Sequence, residues 1–129
     1  MIPLRIHHVA LWVADLERMR EFYVGVLGGT SGALYENRRT GFRSYFVTFK
    51  DSRLELMWQP GRDGHASEVA GLGYAHVAMS AGSRDGVDER VTELRARGVR
   101  VVGEPRVTGD GYYEAVIEDP EGNRIEIVG

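Results

Sequence analysis

His8, Glu55, His76 and Glu126 are the side chains of this sequence whose types and spacing suit chemistry. Each histidine opens the same tripeptide, His8-Val9-Ala10 and His76-Val77-Ala78. Downstream of each copy a glutamate stands between aliphatic residues, as Leu54-Glu55-Leu56 and Ile125-Glu126-Ile127. An apolar strand rarely buries a carboxylate without a partner. Two imidazoles and two carboxylates at matching places in two similar halves point to one divalent metal held by both halves. Neutral imidazole and carboxylate suit zinc, nickel, cobalt, iron(II) or manganese. Such a set, without thiolate, leaves positions of an octahedral site open to water or a substrate oxygen, which is the arrangement of catalysis. The competing reading makes the histidines satisfied core residues and the glutamates ion-paired edge residues. The repeat weighs against it.

The elements that must position these residues also come in two sets. Ile6 to Val13 reads as a strand, with Val9, Leu11 and Val13 on one face and Ile6, His8, Ala10 and Trp12 on the other. Asp15 is placed as an N-cap, followed by Leu16, Met19, Phe22, Tyr23 and Val26 at helical spacing and a stop at Gly28-Gly29. Arg43 to Lys50 and Arg53 to Trp58 read as strands joined at Asp51-Ser52. That hairpin would set Thr48 opposite Glu55 and Phe46 opposite Met57, with Tyr45, Val47, Phe49 and Trp58 in the core. In the second half Tyr74 to Ser80 is a strand, and Val87, Val91 and Leu94 mark a helix ending at Gly98. Val99 to Val102, Tyr112 to Glu118 and Asn123 to Val128 are further strands, the last two joined by the turn Asp119-Pro120-Glu121-Gly122.

The expected fold class is therefore α+β. Two βαβββ modules, about 4–58 and 74–129, form one domain over 1–129, joined by a glycine-rich linker at 59–73. Neighbours in a strand alternate faces, and the neighbours of all four candidate ligands are mainly aliphatic. The ligands would face a shared cavity inside a curved mixed sheet, with the helices outside.

At 129 residues the chain has room for one domain with a sizeable core. Hydrophobic residues at 43% and charged residues at 27% are ordinary for a globular protein. A net charge of -3 gives no electrostatic reason to expect nucleic acid or an anionic membrane as partner. No apolar run approaches the ~20 residues a membrane span needs, and Met1-Ile2-Pro3-Leu4-Arg5 does not resemble a signal peptide. The absence of cysteine excludes disulfides, thiolate catalysis and Cys-ligated zinc. The expected compartment is the cytoplasm. Arginine is used almost to the exclusion of lysine, Lys50 being the single example; Arg18, Arg20, Arg90, Arg95 and Arg97 read as a solvated helix surface. His65, between Gly64 and Ala66, reads as a surface residue.

These motifs resemble the vicinal-oxygen-chelate superfamily, especially its glyoxalase I-like branch. His8 to Leu11, Asp15-Leu16-Glu17 and Phe22-Tyr23 through Leu27-Gly28 look like its first strand and helix. Leu54-Glu55-Leu56, Ala75 to Ala78 and Asp119 to Glu126 look like the rest of its signature. The resemblance implies that His8, Glu55, His76 and Glu126 are the metal ligands, with Glu126 the favoured catalytic base and Glu55 serving the opposite face. Glu55 separates this chain from fosfomycin-resistance, epimerase-like and bleomycin-sequestering relatives, which lack a carboxylate there. The implied activity is that of a lyase or isomerase moving a proton through an enediolate on a small substrate with neighbouring oxygens, such as a thiol adduct. The alternatives are an epimerase, another enzyme of the superfamily, or a drug-binding resistance protein.

Glutathione-using glyoxalases carry arginine where this chain has Trp12, asparagine where it has Gln59, and a loop lysine where it has Thr108, with Arg106 close by. Trp12, Phe46, Thr48, Met57, Arg106 and Tyr113 are the candidate substrate contacts. Asn37, Arg38 and Arg39 form a second, weaker candidate for an anion. The resemblance also implies a homodimer, in which the first module of one chain closes against the second module of the other.

Overall fold

The structure, a computed structural model, describes residues 1–64, 66 and 71–129. Two units are distinguished, Met1–His65 and Ala66–Gly129. The sequence reading of His65 lies outside the described residues.

The first unit contains β1 (Val9–Trp12), α1 (Leu16–Glu21), a π-helical turn (Phe22–Val26), β2 (Thr30–Ser31), β3 (Tyr35–Glu36), β4 (Arg43–Phe49) and β5 (Ser52–Trp58). The strands are ordered β1-β5-β4-β2, with β3 also on β4. β1 runs parallel to β5 and the other pairings are antiparallel. Asp15, in extended backbone, accepts a hydrogen bond from the Arg18 N–H at 3.0 Å, satisfying one of the orphan donors that starts a helix. Leu16 and Met19 are buried on one stripe. The Leu27 N–H then reaches back to the Phe22 carbonyl at 3.1 Å, one residue farther than in an α-helix. That wider turn lets the adjacent Phe22 and Tyr23 both face inward. Gly28, at φ 84°, ends it. Tyr45, Val47, Leu54 and Leu56 complete the core beneath the helix.

The second unit repeats this with β6 (Val77–Ser80), α2 (Arg84–Ala96), β7 (Arg100–Val107), β8 (Tyr113–Glu118) and β9 (Arg124–Val128), in the order β6-β9-β8-β7. The β6–β9 pair is parallel, as is β1–β5. Ser83 caps α2 by accepting from the Gly86 N–H at 3.0 Å. Val87, Val91 and Leu94 pack on Ala115, Ile117, Ile125 and Ile127, all buried. The β8–β9 turn is organised by Asp119, whose carboxylate accepts from the backbone N–H of Glu121 and Asn123, each at 2.9 Å. The βαβββ plan thus holds in both units, as two mixed sheets with few helices.

Four details differ from the sequence expectation. β1 begins at Val9 and β6 at Val77, so His8 and His76 each precede their strand by one residue. The parallel ladders begin at Val9↔Leu54 and Val77↔Ile125. The β4–β5 turn is Lys50-Asp51, because Lys50 takes φ 52° and Phe49 pairs with Ser52. Phe46 consequently stands opposite Glu55 and Thr48 opposite Arg53, while Met57 faces Ser44. This two-residue change of partner preserves the faces. Phe49 and Trp58 are half-buried, outside the fully buried core. Finally, the outer strand of the first unit is broken into β2 and β3, and β7 carries two register shifts and extends through Arg106, which was expected in a loop.

Candidate metal centre

Within the first unit, His8 Nε2 lies 3.5 Å from Glu55 Oε1; within the second, His76 Nε2 lies 2.9 Å from Glu126 Oε1. The two pairs are built the same way. Ala10 is level with Glu55 on the adjacent parallel strand, Ala78 is level with Glu126, and each histidine lies two residues before its alanine. Alternation then puts histidine and glutamate on the sheet face opposite the helix. On the other face, Leu54 and Leu56 pack in the first core, and Ile125 and Ile127 in the second.

Two ligands at right angles, each about 2.1 Å from a divalent ion, are separated by about 3.0 Å. The observed separations of 3.5 and 2.9 Å bracket that value, so each pair suits one edge of a coordination polyhedron. Among the described residues no group of three or more His, Asp or Glu side chains is gathered at one point in a way that could hold a metal. His8 Nδ1 lies 2.8 Å from His7 Nδ1, and that contact orients the ring so that Nε2 faces Glu55.

The second pair has a neighbour that sequence reasoning missed. Glu114 on β8 is buried, and its carboxyl hydrogen-bonds to that of Glu126. Burial first, then this hydrogen bond and the nearby charges of Glu114 and Asp110, raise Glu126 above the usual carboxylate range, while His76 pulls it down. Glu114 has the same signature as the expected ligands: a carboxylate between inward-facing residues of a strand, here Tyr113 and Ala115. Parity within β8 could have identified it.

The candidate substrate contacts divide. Phe46 lies on the pair's face, its ring edge-on to His8 with centroids 5.1 Å apart. Trp12, level with Met57, shares that face, as does Thr48 by alternation. Arg106 is level with Glu114 and extends toward Gly103 and Val116, on the Glu126 side of its sheet. Tyr113 is a correction. Its hydroxyl donates to Asp88 of α2 at 2.5 Å and Arg84 stacks on its ring, so it packs on the helix face, away from Glu126. Its parity is that of Ala115 and Ile117, the core residues of β8. In the Asn37–Thr40 turn, Asn37 Oδ1 accepts from the backbone N–H of Arg39 and Thr40, while Arg38 extends toward Glu36. No described helix is long and apolar enough to cross a membrane.

Comparison with known proteins identifies the family. The chain is 31% identical to the lactoylglutathione lyase of Escherichia coli O157:H7, over 97% of this chain and 92% of that one. It is 30% identical to the mitochondrial methylmalonyl-CoA epimerase of Bos taurus, over 81% of this chain and 61% of the relative. The crystal structure of a glyoxalase family protein from Enterococcus faecalis superposes with a TM-score of 0.83 at 21% identity, covering 97% of each chain. Glyoxalase I from Zea mays superposes at 0.81 with 22% identity, covering 96% of this chain and 44% of that one. Residues 5–127 match the family profile, and the chain belongs to the Glyoxalase/Bleomycin resistance protein/Dioxygenase superfamily.

Proposed function

We propose that the chain is a metal-dependent, glyoxalase I-like lyase or isomerase that moves a proton between adjacent carbons of a substrate bearing neighbouring oxygens. The observation that carries this reading is the pair of His–Glu contacts at matched register, 3.5 Å in one unit and 2.9 Å in the other. His8, Glu55, His76 and Glu126 would hold one divalent ion, zinc, nickel, cobalt, iron or manganese. When bound, the ion supplies positive charge where negative charge develops on the substrate oxygens.

The protein's own work is proton transfer and exclusion of water. Glu126 accepts the proton from the carbon next to the carbonyl. Glu55 serves the opposite face. Phe46, packed against His8, keeps bulk water from that side of the pair.

Two copies of the chain would form the active unit, His8 and Glu55 coming from one and His76 and Glu126 from the other. A second reading, epimerisation of an acyl thioester, is favoured by the resemblance to the methylmalonyl-CoA epimerase and by Trp12 at the place where glutathione-using enzymes carry arginine.

The deciding experiment screens nickel-, cobalt- and zinc-loaded protein against methylglyoxal with several thiols, alongside solvent-proton exchange into an acyl-CoA. Turnover of a thiol adduct supports the lyase reading. Exchange into the acyl-CoA alone selects epimerisation. Intact protein with no affinity for any divalent ion rejects both in favour of a binding protein.

A further inference from the structure

On the sheet face that carries His8 and Glu55, two guanidinium groups lie against aromatic rings. The Arg53 Cζ is 4.1 Å from the centre of the Phe46 ring, and the Arg62 Cζ is 3.9 Å from the centre of a Trp12 ring. Neither arginine makes an ion pair among the described residues, whereas Arg20, Arg38 and Arg43 of the same unit each face a carboxylate. Stacking occupies the flat side of a guanidinium and leaves its in-plane N–H groups available, in a fork matched to carboxylate or phosphate.

Local structure holds both groups in place. Arg53 is two residues before Glu55 on β5, and its platform, Phe46, stands opposite Glu55 and against His8. Arg62 is returned over the sheet by the turn Gln59-Pro60-Gly61-Arg62, in which the Arg62 N–H reaches the Gln59 carbonyl at 3.4 Å. Pro60 fixes the second position of that turn, and Gly61 takes φ 85° at the third, as a type II turn requires. Trp12 is level with Met57, two residues past Glu55. The stacked Arg53 guanidinium therefore lies over the row that contains Glu55, and that of Arg62 over the row of Trp12 and Met57, about 7 Å along the strand.

We propose that Arg53 and Arg62 form an anion clamp that reads acidic groups, carboxylate or phosphate, on the non-reacting part of the substrate. The inference rests on the functional reading above only for where the reacting oxygens sit, beside His8 and Glu55. A ligand reaching outward from that point meets the Arg53 fork over Phe46 and, farther along the strand, the Arg62 fork over Trp12. Binding energy from such remote groups is what holds a reacting centre in position.

Binding, measured apart from turnover, tests the clamp. Trp12 emission in a Trp58→Phe background is titrated with S-methylglutathione, its dimethyl ester and coenzyme A. At least one of the two acidic probes is expected to bind, and which one tells carboxylate from phosphate. Arg53→Gln and Arg62→Gln are each expected to weaken it about tenfold, with a loss that shrinks as salt is raised. The ester should bind wild-type protein no better than S-methylglutathione binds the variants. Calorimetry repeats the titration with Arg53→Gln and Arg62→Gln in the unaltered tryptophan background, and unchanged thermal midpoints exclude misfolding. The clamp is overturned if neither acidic probe binds, if both variants bind like wild-type, or if S-methylglutathione binds and its ester binds equally well. Absence of turnover with the clamp intact would reject the reaction and leave this inference standing.

Discussion

Glu114 and Glu126 share a hydrogen bond on the helix-free face of the second sheet, and Glu126 is held above the usual carboxylate range partly by that contact. Glu114→Gln removes a neighbouring negative charge and offers an amide donor. The Glu126 carboxyl of the metal-free protein should therefore titrate lower, although burial keeps part of the elevation. Carbon-13 NMR titration of the glutamate carboxyls checks this. A carboxyl raised on folding contributes stability below its unfolded value, near 4.3, and loses it as pH rises through the folded value. The metal-free variant should thus show a smaller decline in stability between mildly acidic and neutral pH.

Removing a candidate ligand tests the centre directly. Glu55→Gln and Glu126→Gln should each lower divalent-ion affinity by about a hundredfold or more, beyond the 10–100-fold typical of groups supporting a ligand. Glu126→Gln should also reduce kcat by about 10²–10⁴-fold when metal is supplied in excess, the range for loss of a general base. Metal analysis of chelator-free protein and steady-state kinetics provide the two readouts. A fully active Glu126→Gln enzyme would remove Glu126 from the proton transfer.

The proposed exchange of modules between two copies makes a complementation prediction. His8→Ala and His76→Ala should each be inactive alone. In a mixed dimer one site would lose both histidines and the other would keep all of its ligands. Co-refolding equal amounts should restore activity, up to about a quarter of the wild-type level under random pairing. Heterodimers isolated by two affinity tags without activity would place each site within a single chain.

Stability should respond most where the site's scaffold is most buried. Leu56, fully buried directly after Glu55, should cost about 2–5 kcal/mol on replacement by alanine. Asp15→Ala removes the α1 cap and should cost about 1 kcal/mol. Urea unfolding of both variants checks the ranking.

Tyr45 sets an alkaline limit. Its hydroxyl donates to Glu17 Oε1 at 2.7 Å, and that bond, then burial, raises its phenol above the usual value. The group's stabilising contribution is complete below its unfolded pKa near 10 and is lost as pH rises through the folded value. Tyr45→Phe should flatten the fall in stability above pH ~10, seen by thermal melts across the alkaline range.

Much of this fold is legible because strand parity and helix caps are local. Asp15, Gly28 and the Val87-Val91-Leu94 stripe declare themselves through neighbours in sequence. The β4–β5 register is less legible, because it depends on Lys50, a residue type that seldom adopts positive φ, doing so at φ 52°. β2 and β3 are too short to show a period, and each exists only through its pairing with β4. Tyr113 illustrates the same limit at the site. In Tyr112-Tyr113 either ring could face inward, and the bond to Asp88, far away in sequence, decides it.

Both candidate glutamates stand on interior strands, β5 and β9, whereas each histidine immediately precedes an edge strand, β1 or β6. An interior strand is hydrogen-bonded along both sides and opens only when much of its sheet does; an edge strand can fray alone. Each pair therefore combines a fixed acid with a compliant imidazole. Amides of Leu54–Leu56 and Ile125–Ile127 should exchange with solvent at rates set by global unfolding, and those of β1 and β6 much faster. A bound ion would close that gap, so slowed exchange at Val9 and Val77 would report occupancy of the site with no substrate present.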